Sequence, residues 1–90
     1  MGRSVKAASH LERVASIGCV LCHELGHGYT PAEVHHIGDT SERNDFLTIG
    51  LCREHHRGGT GFHGLGEREF NRRYKTSELH LLAKMLEHMA

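Results

Sequence analysis

The chain has 90 residues, with 11 Lys and Arg against 11 Asp and Glu, so its formal net charge is zero with histidine neutral. At this length the expectation is one domain over residues 1–90, with a core small enough to need a staple such as a metal or a disulfide. No run approaches the roughly 18–20 apolar residues of a membrane span, and the short, polar, basic start does not read as a signal peptide, so a soluble cytoplasmic protein is expected.

Usage departs from the ordinary at 11 Gly, 10 His and 3 Cys, with no Trp. The histidines form no terminal run, and most lie between Cys19 and His63, among the cysteines. An odd number of cysteines in a reducing compartment argues against a disulfide framework and for metal binding. Zero net charge is a poor start for binding nucleic acid, which leans on Lys and Arg. The distribution is less even: Arg53, Arg57, Arg68, Arg72, Arg73 and Lys75 outnumber Glu54, Glu67 and Glu69 in one stretch. That stretch reads either as a local basic surface or as a solvated mixed-charge helix face.

Residues 5–17 read as a first helix, with Ala8, Leu11, Val14, Ala15 and Ile17 at helical spacing and Gly18 as its stop. Cys19 and Cys22 follow as a knuckle, and residues 23–31 form a polar loop broken at Thr30 and Pro31. Residues 32–37 and 46–51 read as two short strands around a turn or loop at 38–44. Cys52 to His56 leads into a helical turn. The glycines at 58, 59, 61, 64 and 66 predict a flexible stretch carrying Phe62 and His63. Residues 67–74 read as helix. Thr76 or Ser77 caps a last helix to about Met89, with Leu79, Leu82, Ala83 and Leu86 on one face. Two strands this short are not stable alone, and a metal clamp explains how they hold.

Cys19 and Cys22, with Cys52 and His55, are two ligand pairs, each with a two-residue gap. That spacing lets both side chains of a pair reach one ion, and two pairs make a closed tetrahedral zinc site. Thiolate and imidazole are ligands zinc prefers. His23 or His56 can replace His55, since each sits beside a paired ligand. Four protein ligands leave no position for water, so the expected role is structural. Unmetallated thiols and polar histidines are the bland alternative.

His35, His36, His56 and His63 then remain, with His10, His23 and His27. Strand neighbours such as His35 and His36 point to opposite faces, so one can take a metal while the other lies off it. His63 can fold back along its glycine-rich path to leave a half-open site. An open metal orients a phosphate and stabilises a leaving oxygen, while a neutral histidine accepts a proton from water. The competing reading makes the doublet structural. His80 and His88 read as exposed polar residues.

The strings around His10 to Cys22, Pro31 to Ile37, Leu51 to Arg57 and Gly61 to His63, with Phe70, Tyr74 and Thr76 beyond, resemble the phage recombination enhancement (Ref) nucleases, which are HNH endonucleases of phages and prophages. The resemblance covers residues 8–89, and its combination of Cys pairs, His doublets and a later His is specific. It implies an α+β, zinc-stabilised ββα-metal (HNH) fold with flanking helices, hydrolysing DNA phosphodiesters with Mg2+ or Mn2+ beside the structural zinc. It puts His35 and His63 as catalytic-metal ligands and His36 as general base. His56 takes the middle place of the motif, orienting the base or helping to hold the metal. The roles of His35 and His36 can be exchanged, and His10 matches the pattern as an auxiliary ligand or phosphate contact. Arg53, Arg57, Arg72 and Arg73 are the expected phosphate contacts. Family activity implies cutting of DNA paired within RecA filaments. Larger members carry a basic disordered N-terminal arm, whereas this sequence starts close to its first helix, so the expectation is a nuclease core that relies on something else to find DNA. The alternative is a zinc-binding DNA or protein adaptor without chemistry.

Overall fold

The computed structural model describes residues 2–38 and 43–90. Its first helix, α1, spans Val5–Ile17. Ser4 caps it: the Ala7 N–H donates to Ser4 Oγ at 3.1 Å, satisfying a donor that the first turn leaves without a partner. Gly18 ends it at φ 88°, a left-handed conformation glycine adopts without steric cost. A side chain there would also meet the Thr30 carbonyl and the Tyr29 ring. The chain turns at once into α2, Val20–Glu24, with Cys19 as N-cap.

Strands β1 (Glu33–His36) and β2 (Thr48–Leu51) pair antiparallel, with His35 opposite Ile49 and Val34 opposite Gly50. Both are shorter than the alternation predicts. Phe46 and Leu47 lie in the turn before β2 and are exposed, and the Thr48 hydroxyl donates to the Asp45 carbonyl there. The expected loop at 38–44 lies partly outside the described residues. Helix α3, Arg53–Arg57, follows β2 directly, with Cys52 as its cap. Thus β1, β2 and α3 succeed one another with α1 and α2 ahead of them and three helices behind.

The glycine-rich stretch is not a loose tether. It holds a short helix, α4 (Phe62–Leu65), between α3 and α5 (Glu67–Tyr74). A Cβ on Gly61 would collide with the backbone of Glu54 and His55, and one on Gly64 with the Gly58 carbonyl. These glycines permit close backbone approach, so the same residues that suggest flexibility serve packing. The Tyr74 hydroxyl donates to the Thr60 carbonyl at 2.7 Å and ties the segment to α5.

The last helix, α6 (Glu78–Met89), starts at Ser77, whose hydroxyl accepts from the His80 N–H, rather than at Thr76. It buries Leu81 and Met85, with Leu82 and Met89 partly covered. Leu79 and Leu86 face outward at 73% and 49% exposure, and Ala83 is exposed too. Of the face that periodicity selects, only Leu82 reaches the core. The core is built from Val14, Val20, Leu21, Ile49, Leu51, Phe70, Leu81 and Met85 around the cysteines, giving a small α+β body on a two-stranded sheet. Among the described residues no helix is long and apolar enough to cross a membrane.

Candidate metal centres and the histidine cleft

Cys19, Cys22, Cys52 and His55 converge in the core, all four buried. Each pair has the same construction. The first cysteine caps a short helix, and its Sγ accepts from the backbone N–H three residues on: Cys22 N to Cys19 Sγ at 3.4 Å, and His55 N to Cys52 Sγ at 3.5 Å. The helical turn then brings the second ligand of each pair alongside the first. His55 Nδ1 lies 3.6 Å from Cys19 Sγ, 3.6 Å from Cys22 Sγ and 3.3 Å from Cys52 Sγ, and Cys22 Sγ lies 3.9 Å from Cys52 Sγ. Zinc bonds of about 2.3 Å to sulfur and about 2.0–2.1 Å to nitrogen, set tetrahedrally, require edges of roughly 3.5–3.8 Å. The donor set therefore fits a metal ion such as zinc.

Burial pushes the Cys19 thiol up to about 12, so a thiolate there needs a cation beside it. Burial likewise lowers the pKa of His55 and favours the neutral, ligating form. The Tyr74 ring meets the His55 ring edge-on, at 5.2 Å between centroids, and closes that side. Of the alternative ligands, His23 Nε2–H donates to the Ile17 carbonyl instead, at 2.8 Å, and His56 belongs to a second cluster.

That second cluster is His35, His56 and His63, with one nitrogen of each within 4.8 Å of the others. His35 comes from β1, His56 from α3 and His63 from α4, so the glycine-rich stretch carries His63 back to the hairpin as its sequence implies. Ring centroids are 5.2 Å apart for His35 and His56, 5.4 Å for His35 and His63, and 4.8 Å for His56 and His63. Phe62 packs between His35, at 4.6 Å, and Phe70, at 5.4 Å, which ties the cluster to the core.

Two carboxylates stand behind the cluster. His35 Nε2 lies 2.7 Å from Glu78 Oε2, and His56 Nδ1 lies 2.8 Å from Glu33 Oε1. Burial depresses the pKa of His35, against the opposing pull of Glu78, so the contact is a neutral N–H donating to a carboxylate. With those nitrogens committed, Nδ1 of His35 and Nε2 of His56 are left for a ligand. A carboxylate on the far nitrogen of a ligating histidine fixes its tautomer and orientation, and this is the usual support of a metal-bound imidazole. Glu33 also takes Arg57 bidentately, with Nη2 on Oε2 at 2.7 Å and Nε on Oε1 at 3.0 Å; with His56, this pairing holds its carboxyl down at about 2.

The three histidines open on a cleft of about 270 Å³, lined also by Val34, His36 and Arg43. His36 is the last residue of β1, and its ring reaches the same cleft as His35 although strand neighbours alternate in direction. Its Nε2 lies 2.8 Å from Asp45 Oδ1, and Arg43 Nη2 lies 3.3 Å from its Nδ1. Because Asp45 only accepts and Arg43 only donates, this network assigns the His36 proton to Nε2 and leaves Nδ1 as an acceptor.

The expected phosphate contacts are dispersed. Arg57 is held by Glu33 and Arg72 by Glu69, at 2.8 Å, while Arg73 lies over the Tyr74 ring and Arg53 is exposed on α3. His10 joins neither cluster: its ring packs on Phe46 at 5.0 Å, and its buried Nε2 has no hydrogen-bond partner among the described residues. Glu33, Glu78, Asp45 and Arg43 are the site residues that sequence reasoning misses. Only Glu33 carries a local signal, since it lies two positions before His35 on a strand and shares its face.

A family model described as "Recombination enhancement, RecA-dependent nuclease" matches residues 5–90. No curated protein matches the chain at a significant level.

Proposed function

Because this chain belongs to the recombination enhancement, RecA-dependent nuclease family, we propose that it is an HNH-type endonuclease hydrolysing DNA phosphodiesters, in one domain that acts together with RecA. The consecutive order β1, β2, α3 beside a closed Cys3His cluster supports the ββα-metal reading. The observation that carries the reading is the cluster of His35, His56 and His63, backed by carboxylates and open to a cleft that also holds His36.

In this reading zinc at Cys19, Cys22, Cys52 and His55 is structural. His35 and His63, joined by His56, hold the catalytic ion, so the middle position of the motif is a ligand. A divalent ion there supplies Lewis-acid neutralisation of the phosphate and of the leaving oxygen. Of the two expected ions, Mn2+ suits three imidazoles better than Mg2+, which demands oxygen ligands.

His36 does the proton chemistry. Its Nε2–H donates to Asp45 and its Nδ1 accepts from Arg43, so Nδ1 is released to take a proton when Arg43 turns to the phosphate. Water attacks phosphorus as its proton passes to Nδ1, and the bond from phosphorus to the leaving oxygen breaks. Asp45 stabilises the imidazolium that forms. Glu78 and Glu33 keep His35 and His56 from turning away. Arg53 and Arg73 contact flanking phosphates, with Arg57 and Arg72 already ion-paired.

Purified protein loaded with zinc and given Mn2+ or Mg2+ should nick plasmid DNA or cut RecA-coated DNA, and His36→Ala should lower the rate by about 10²- to 10⁴-fold. Equal rates for both proteins, or no cleavage under any metal with RecA present, sinks the enzyme and favours the adaptor.

A further inference from the structure

The geometry points to a phosphate track that leaves the histidine cleft through Arg43 and runs to Arg3, so that these arginines, rather than Arg57 and Arg72, grip the DNA strand beside the cut. The inference rests on the nuclease reading above and names where its substrate lies.

Arg43 lines two adjoining clefts. One is the histidine cleft; the other, about 480 Å³, is lined by Gly2, Arg3, Arg43 and Asp45. The guanidinium of Arg43 lies 3.3 Å from His36 Nδ1, so any phosphate within reach of that nitrogen is also within reach of Arg43. Asp45 joins the two clefts: Oδ1 takes His36 and Oδ2 takes Arg3 Nε at 2.9 Å. One carboxylate is thus shared between a histidine and an arginine, and two guanidinium charges line the cleft around it. Arg3 remains 52% exposed and uses Nε for that bond, leaving its terminal nitrogens to other acceptors. Arg57 and Arg72 are poorer candidates, since each is held through two nitrogens by a glutamate.

A strand carries a negative charge every 3.4 Å or so along the axis of a duplex. A strand with one phosphate at the histidines therefore presents its neighbours to the adjoining cleft, where arginine binds phosphate through paired N–H groups. Such contacts set position and register without reading sequence.

The test is fluorescence anisotropy of a labelled DNA oligonucleotide against the zinc-loaded full chain, over a KCl series. Arg3→Gln and Arg43→Gln should each weaken binding and reduce the slope of log K against log salt by about one, the signature of one lost phosphate contact. Arg3→Lys and Arg43→Lys should largely keep the slope. Zinc content and melting temperature should match the wild type in all four. Wild-type slopes in both Gln variants, with the wild type still nicking plasmid, overturn the track and leave the nuclease standing. A wild type that neither binds nor cuts DNA takes both down.

Discussion

The two candidate metal clusters share a chain and little else. The Cys3His cluster is buried on all four ligands, built from sequence-adjacent pairs on capped helical turns, and closed by Tyr74. The histidine cluster draws one residue from each of β1, α3 and α4, grades from buried His35 to exposed His63, and opens on a cleft. In the first, the ligands are held by their own helix caps. In the second, His35 and His56 are held by carboxylates from elsewhere in the chain. On the nuclease reading the two divide holding from reacting: a saturated site supports the fold, while a site with open positions admits substrate.

The largest effect is expected at the closed cluster. Cys52→Ser removes a ligand, and with it the binding energy of a structural zinc, about 10–16 kcal/mol in small zinc-finger peptides. That rivals the about 5–15 kcal/mol by which whole domains are stable. The variant should lose stoichiometric zinc and its cooperative melting transition, as circular dichroism and metal analysis would record. Next in size is His63→Ala, which should abolish the second ion and cleavage together while zinc content and melting stay near wild type. A variant that unfolds instead would make the histidine cluster structural too.

Smaller effects separate the supporting carboxylates. Glu78→Gln should weaken the second ion about 10- to 100-fold, the usual consequence of losing a partner behind a ligating histidine. Glu33→Gln should do less, because Glu33 is more exposed than Glu78 and shares its charge with Arg57. Calorimetric titration of Mn2+ into zinc-loaded protein ranks them, and equal affinities in both variants and wild type would remove the carboxylates from the account.

The closed cluster was nearly legible from the sequence, because each ligand pair lies within one helical turn and the spacing carries the geometry. The bounds of α1 and α5 were legible for the same reason of local pattern. The partners of the open site were not. Glu78 lies 43 positions from His35, and no local spacing announces a contact made by tertiary packing. His56 was ambiguous because a histidine next to a zinc ligand has no pattern of its own until α3 turns it toward the hairpin. The glycines misled in the other direction: flexibility and tight packing ask for the same residue. On α6, Leu79 and Leu86 compete with Leu81 and Met85, and only contact with α1, α2 and β2 decides between the stripes.

On the nuclease reading the two clusters are unlike sites, one filled and inert, the other exchangeable and reactive. A Mn2+ titration of zinc-loaded wild type and His35→Ala, followed by electron paramagnetic resonance, tests it most directly. The expected result is one exchangeable Mn2+ per wild-type chain on top of a zinc that stays bound, and none in His35→Ala. A wild type that takes up zinc alone, or a variant that binds Mn2+ as the wild type does, would contradict it.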